Sequence, residues 1–266
     1  MFLFLLACHH NIGFEQKTKE STKAWKELLI DVTINDDIDY QMLQENQDIL
    51  EDYLGWVGDN GPRMNRIKGT RGQKKGREDR RITHYANAYN AWVLYEILSI
   101  YPIETTENLT LDQFHLFENA YQVDGEYMTL HHLKEERLLG TYQEPLLHMM
   151  LHDGSKSSPQ LQYWETEQLQ YILRRKFHQY LNSEYGAKRT KKNEYNEEEN
   201  EEWLFSELFK RAEDDFIYWS KSNSLCQYLS EYAEEELQVW LAKQEQQGCS
   251  LTFQSWNYEL NTQNFE

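Results

Sequence analysis

The sequence predicts a predominantly helical α+β fold with a small antiparallel sheet, built as a single domain. Apolar residues recur at helical spacing along most of the chain, and only 4 of its 266 residues are proline, which favours long helices. One hairpin is predicted at 121–128, where Asp124-Gly125 stands between two β-prone triplets. No repeat and no change of composition in the sequence marks a second core.

The predicted helices share an apolar stripe that repeats about every 3.6 residues. They cover residues 22–30, 42–57, 84–101, 111–117, 129–139, 165–181, 205–219 and 225–241. The stretch 84–101 is apolar nearly all round, so we expect it at the centre of the core, and Thr129 is a candidate N-cap. Residues 146–151 fit a strand or a helix, and 152–159 must form a loop. The chain end, 251–260, is expected to join the hairpin in the sheet.

Charge is distributed unevenly along this acidic chain. The net charge is −18, so the overall field repels phosphates and argues against nucleic-acid binding. Residues 63–81 nevertheless hold nine of the 27 Lys and Arg residues. This stretch fits either a binding patch for lipid head groups and other polyanions or a solvated, mobile insertion, and the insertion is favoured. A second charged insertion, 186–202, predicts a flexible loop or an exposed hairpin.

The first residues predict that the protein is exported from the cytoplasm. Residues 1–7 are apolar and end in Ala7, and the run Leu5-Leu6-Ala7-Cys8 resembles the lipobox of a bacterial lipoprotein signal. In such a protein the Cys8 thiol carries the lipid, and the mature chain starts there. We therefore predict a signal segment at 1–7, a polar tether at 8–22 and a folded domain at 23–262. The localisation would be periplasmic or at the cell surface, on the outer membrane in a Gram-negative host.

Two further cysteines, Cys226 and Cys249, would remain unmodified. An oxidising compartment would allow them to pair. The predicted helix from residue 225 to 243 opposes this pairing, because a helix of that length spans roughly 27 Å. Two buried structural thiols are therefore expected, and a disulfide would require a break near Tyr232.

One polar cluster interrupts the most apolar predicted helix. Asn87, Tyr89 and Asn90 lie within it, and polar groups are costly to bury unless they are hydrogen-bonded. Asn87 and Asn90 are three residues apart and can point the same way. These three residues are candidate binding residues that line a cleft. The alternative, which is favoured, is that they tie the helix to neighbouring loops.

A second cluster combines His148, His152, Asp153 and Ser158. We take His148 as a candidate catalytic base, assisted by Ser158 or Asp153, although spacing alone does not show that these groups meet. His148 and His152 would share one face of a helix and could bind a metal there, and His131-His132 is a weaker candidate. Ordinary structural use is favoured for each. The sequence contains no P-loop, dinucleotide glycine pattern or paired-cysteine metal site, so no metal and no cofactor is predicted.

Several segments of the chain resemble the bacterial protein family named for domain of unknown function 547 (DUF547). The most specific match is Tyr85-Ala86-Asn87-Ala88-Tyr89-Asn90-Ala91, which is similar to an aromatic residue followed by Ile-Asn-Ala-Tyr-Asn-Ala. Weaker matches are Trp25 to Leu29, Ile38 to Tyr40, Leu50 to Leu54, Tyr101-Pro102, Val123-Asp124-Gly125, Thr129-Leu130 with Leu133, Ser206 to Phe209, Asp215-Phe216 and Trp256 to Asn261. The resemblance covers about residues 24–262. It implies no settled activity.

The chain departs from the family where chemistry would be expected. The family shows Arg-x-His-x-Ala-Leu-x-Cys-Gly-Ala-x-Ser-Cys-Pro, and the matching stretch here is 146–159. Asp153 and Ser158 replace the two cysteines, and Lys134-Glu135 replaces a Glu-His pair. A mechanism that uses a Cys thiolate would have no nucleophile in this loop.

The leading hypothesis is therefore a membrane-anchored extracytoplasmic binding or structural protein without catalysis. Its partners would be the membrane surface, through the lipid, and a protein or small molecule that the sequence does not identify. The alternative is a hydrolase or transferase that uses a cleft formed by residues 84–91 and 148–159.

Overall fold

The computed structural model describes residues 11–15, 17–62, 71–107, 119–190 and 202–263, except the side chains of 71–74. Within them the chain is a predominantly helical α+β protein, as predicted. The helices are α1 Glu20–Val32, α2 Tyr40–Glu45, α3 Gln47–Asp59, α4 Arg71–Ile100, α5 Leu130–His132, α6 Gly140–Tyr142, α7 Leu169–Leu181, α8 Glu207–Arg211, α9 Glu213–Ser220, α10 Leu225–Ser230 and α11 Glu235–Gln246. A π-helical segment, Leu133–Leu139, joins α5 to α6, and Pro145–Met150 is a 3-10 helix.

The part of the chain that the structure describes contains three small sheets instead of the one sheet that was predicted. The strands are β1 Asn11–Ile12, β2 Thr33–Ile34, β3 Asp37–Ile38, β4 Ala120–Val123, β5 Glu126–Met128, β6 Ala187–Arg189, β7 Trp203–Ser206 and β8 Thr252–Gln254. The predicted hairpin is β4–β5, and β1 pairs parallel to β4. The chain-end strand β8 instead pairs with β7 in a separate sheet, and β2 pairs with β3.

The contacts divide the chain into two compact units. Of the described residues, those up to 141, those of 150–169 and those from 258 onward form unit 1, and those of 142–149 and 170–257 form unit 2. Whether they form the single domain expected from the sequence stays a prediction. No helix in the described residues is long and apolar enough to cross a membrane.

Unit 1 is organised around α4, whose Trp92, Leu94 and Ile97 are buried. The hairpin turn docks on the end of α3, because the amides of Asp124 and Gly125 donate to carbonyls there. These two turn residues both have positive φ, which explains the Asp-Gly pair. Thr129 caps α5 as predicted, since its Oγ1 accepts from the amide of His132.

Two predictions in unit 1 need correction, one about the basic segment and one about the polar tether. Residues 71–81 are not an insertion without regular structure but form the first turns of α4, and 63–70 lie outside the described residues. Residues 11–15 are not a free tether, because they include β1 and pack on the unit. The predicted helix at 42–57 is interrupted at Asn46, and the one at 111–117 lies outside the described residues.

Unit 2 has an aromatic core of Phe177, Phe209, Phe216 and Tyr228. The charged segment 186–202 is flanked by the antiparallel pair β6–β7, and its residues 191–201, on which the predicted loop or exposed hairpin falls, lie outside the described residues. The predicted helix at 205–219 is confirmed in part, as α8 and α9. Its first residues lie in β7, and a break at Ala212 separates α8 from α9.

The predicted helix at 225–241 is likewise confirmed only in part, as α10 and α11, and the break between them changes the cysteine chemistry. The chain leaves helical geometry after α10, and the Asn182 side chain bonds the carbonyl of Tyr232 and the amide of Glu234. The break lets the chain fold back, so that Cys226 and Cys249 form a disulfide instead of two buried thiols.

Candidate functional site

The two asparagines of α4 hold the loop 150–159 and its continuation in unit 1. Asn90 Nδ2 donates to the Met150 carbonyl at 2.8 Å, and its Oδ1 accepts from the His152 amide at 3.0 Å. Asn87 exchanges two bonds of 2.9 Å with the backbone of Trp164. Both asparagines are buried, so their polar groups are satisfied by backbone groups. This is the structural use that the sequence left open beside a binding role.

His152 is the buried centre of a second set of bonds in unit 1. Its Nδ1 lies 2.8 Å from the Pro159 carbonyl oxygen, which can only accept, so Nδ1 carries the hydrogen. Its Nε2 then accepts from Asn261 Nδ2 at 3.1 Å, and Asn261 Oδ1 accepts from Tyr40 at 2.8 Å. Burial lowers the pKa of His152, which favours this neutral form.

The residues at the two family cysteine positions close the loop on itself. Ser158 Oγ accepts from the Asp153 amide at 2.9 Å. Asp153 Oδ1 accepts from both the amide and the hydroxyl of Ser155, at 3.0 and 2.5 Å. Gly154 has φ +82 at the bend, and a Cβ there would clash with the Ile97 side chain. Asp153 and Ser158 are therefore brought together as parts of a turn.

The chain end completes this arrangement in unit 1. The Asn261 amide donates to the Gly154 carbonyl, and the Lys156 amide donates to Glu259, each at 2.9 Å. Reasoning from the sequence missed Asn261 and Tyr40 as members of the site. Their only signals were two weak family resemblances, that of Ile38-Asp39-Tyr40 for Tyr40 and that of the terminal segment for Asn261.

Tyr89 is the remaining polar member of the α4 motif. Its ring is half-buried, and burial raises the pKa of its phenol, as do the nearby charges of Asp153 and Glu135. The hydroxyl is therefore a neutral group. Among the described residues it has electrostatic neighbours but no hydrogen-bond partner.

His148 lies in unit 2, whereas Asp153 and Ser158 lie in unit 1. His148 Nε2 is 2.9 Å from Asp215 Oδ2, and its ring packs against Phe216 and Trp219. The sequence singled out Asp215 only in a weak family match and did not predict this pair, whose members are 67 residues apart. A carboxylate on one imidazole nitrogen fixes the ring orientation, as in acid–base catalysis. The predicted pairing of His148 with Ser158 or Asp153 stays a prediction.

Two further histidines, His84 and His132, carry structural contacts. His84 packs between Trp56 and Tyr85, and its buried Nε2 has no partner among the described residues. Burial lowers the pKa of His84 to about 4. His132 lies against Glu136 and Arg137 on the exposed side of its helix.

These contacts bear on whether His148 and His152 could bind a metal, as the sequence allowed. His152 uses both ring nitrogens inside unit 1, and His148 faces Asp215 inside unit 2. Cys226, Glu245 and Cys249 form a cluster with ligand chemistry, but the two sulfurs are bonded to each other. Cys8, the predicted lipidation site, lies outside the described residues.

Comparison with known proteins bears on the identity of this site. Residues 74–181 match the model of a family described as "Protein of unknown function, DUF547". No curated protein and no solved structure matches the chain. The matched segment contains α4 with its asparagines, the hairpin and the loop 150–159, all of which the motif resemblance had singled out. The match therefore supports membership of the DUF547 family.

Proposed function

We propose that this protein is a membrane-anchored extracytoplasmic binding or structural protein that lacks catalysis. The observation that supports an extracytoplasmic location is the disulfide between Cys226 and Cys249. Disulfides persist in oxidising compartments and are rare where glutathione and thioredoxin keep thiols reduced. A protein that depends on this bond is therefore expected to act outside the cytoplasm.

The anchor is supported by the sequence alone. The run Leu5-Leu6-Ala7-Cys8 fits a bacterial lipoprotein signal, and lipidation of Cys8 would hold the chain at a membrane surface. A lipoprotein is exported, so the signal and the disulfide favour the same compartment on independent grounds. In a Gram-negative host the expected membrane is the outer membrane.

The absence of catalysis is argued from hydrogen bonding in unit 1. A serine attacks only when an adjacent base removes its proton. Ser158 accepts a bond from the Asp153 amide, and the nearby imidazole, His152, is neutral and engaged at both nitrogens. Among the described residues of unit 1, neither His152 nor the Asp153 carboxylate accepts a bond from the Ser158 hydroxyl. The lost family cysteines support the same conclusion.

A binding role would use the polar group of the α4 motif that is not hydrogen-bonded within the described residues, the Tyr89 hydroxyl. Asn87 and Asn90 are occupied by backbone groups, whereas Tyr89 presents a neutral hydroxyl close to Asp153 and Glu135. We propose Tyr89 as the member of the motif that a small molecule or partner protein contacts.

Metabolic labelling with a palmitate analogue tests the anchor. The wild-type protein should be labelled and recovered with membranes, and Cys8→Ser should lose both properties. Cys249→Ser is the matched control, because it also removes one cysteine but should keep the label. Equal labelling of wild type and Cys8→Ser would refute the anchor.

The second candidate is a hydrolase or transferase, which the His148–Asp215 pair favours. Such an enzyme would use the oriented imidazole as a base. A panel of activated esters and amides separates the two proposals. Turnover that is lost in both His148→Ala and Ser158→Ala would support the enzyme, and no turnover by the wild-type protein is the outcome expected of a binding or structural protein.

A further inference from the structure

The N-terminal strap, residues 11–15, is an integral part of unit 1. β1 pairs parallel to β4, with Asn11 opposite Ala120 and Ile12 opposite Tyr121. Phe14 then stacks on Trp92 at 5.8 Å between ring centroids and meets the Tyr95 ring edge-on at 5.4 Å. The strap therefore adds a strand to the sheet and an aromatic ring to the packing around α4.

Two further contacts hold the chain that follows Phe14. The Glu15 carbonyl lies so close to Gly55 of α3 that a Cβ on Gly55 would clash with it. Beyond it, Lys17 pairs with Asp52 of the same helix at 2.9 Å. Gly55 is thus the point of closest approach between the strap and α3, and a glycine is needed there for lack of space.

The position of the strap limits the reach of the proposed lipid anchor. Only His9 and His10 separate Cys8 from Asn11. An extended chain spans at most about 3.6 Å per residue, so Cys8 lies within about 11 Å of the start of β1. A free tether of about 15 residues would instead have a root-mean-square length of about 20 Å and could extend to about 50 Å.

We propose that the strap holds unit 1 directly on the lipid bilayer, with the end of the β1–β4–β5 sheet where β1 begins, and where Asn11 is exposed, nearest to the lipid head groups. This inference rests on the proposed lipidation of Cys8. The bilayer is the occupant because the lipid-bearing residue must lie beside this end of the sheet.

The strand directions define which end faces the lipid. β1 is parallel to β4, so Asn11 lies beside Ala120, the first residue of β4. β5 runs the opposite way and reaches the same end at Met128. The hairpin turn with Asp124 lies at the other end of the sheet, which places this carboxylate away from the bilayer. The strap therefore fixes an orientation of unit 1 as well as a distance.

Neutron reflectometry on a supported phosphatidylcholine bilayer measures the water gap between the lipid head groups and the protein layer. The chain beginning at Cys8 is coupled through that thiol to a maleimide lipid, since the other two of its three cysteines are in the disulfide. Beyond the coupling spacer, the expected gap is about 10 Å or less. Inserting about 15 Gly and Ser residues between His10 and Asn11 should widen it by about 20 Å.

Two glycine variants test the strap itself. Gly55→Ala should expel the strap and widen the gap as the insertion does, while Gly76→Ala, where a Cβ meets nothing within 4 Å, should keep the wild-type gap. Circular dichroism checks that both variants are folded. If Gly55→Ala is not folded, the insertion variant alone tests the proposal. The same gap in the wild-type protein and the insertion variant would overturn the proposal. Because the coupling is chemical, this result does not depend on whether Cys8 is lipidated in the cell.

Discussion

Replacing Asn90 by alanine tests whether the central polar motif is structural. The substitution removes the partners of two buried backbone groups, the carbonyl of Met150 and the amide of His152. A buried group left without a partner costs about 1–3 kcal/mol. Alanine is also the better helix former by roughly 0.5 kcal/mol, so the free energy of unfolding should fall by about 2–5 kcal/mol.

Urea denaturation followed by circular dichroism measures this loss, and hydrogen exchange of the His152 amide locates it. The amide should lose its protection, because its acceptor is gone. Asn60→Ala is the matched control, since Asn60 also bonds a carbonyl, that of Trp56, but at an exposed helix end. It should cost no more than about 1 kcal/mol. A loss below about 1 kcal/mol for Asn90→Ala, with unchanged exchange at His152, would refute the structural assignment.

Three further predictions concern stability. The pKa of His84 falls from 6.5 to about 4 on folding, so the unfolded chain binds the proton first and the folded state loses stability as the pH falls through that range. His84→Phe should remove about 3 kcal/mol of the difference between stabilities measured at pH 7 and pH 4, and an unchanged difference would contradict the assignment. Thr129→Ala should cost about 1 kcal/mol in urea denaturation through the lost N-cap, with Thr129→Ser close to wild type. Replacing Cys226 and Cys249 together by serine should lower the unfolding free energy by about 2–4 kcal/mol, and no change in the denaturation midpoint would show that the bond is absent in solution.

The features predicted correctly from the sequence have local causes. The Asp124-Gly125 turn requires positive φ at both residues, and the pair is the usual solution. The central helix follows from apolar residues all round it, and Thr129 caps α5 through an amide only three residues away. In each case the deciding interaction lies within one turn or one strand pair, where a sequence pattern is informative.

The predictions that failed depend on distant partners. The break after α10 is stabilised by Asn182, which is 50 residues from Tyr232, and nothing local in the sequence marks it. The disulfide depends on that break, so the thiol prediction failed with the helix prediction. The tether failed for a similar reason, because a single Phe14 in a polar segment does not reveal that Trp92 and Tyr95 accept its ring.

The candidate site was predictable in part. The spacing of Asn87 and Asn90 correctly placed both on one side of the helix. Their backbone partners lie 60 to 77 residues away, so whether they bind a ligand or a loop was not decided by the spacing. His148 was singled out from its motif, yet its partner Asp215 comes from a different helix of unit 2.

Thiol counting tests the central claim, that the protein is lipidated and oxidised outside the cytoplasm, most directly. Protein from its native cells is trapped in acid, denatured and treated with a polyethylene-glycol maleimide, which shifts the gel mobility once for each free thiol. The chain has three cysteines, so a lipidated and disulfide-bonded protein should show no shift before reduction and two additions after it. One addition before reduction would refute the anchor alone. Three additions before reduction would contradict the account.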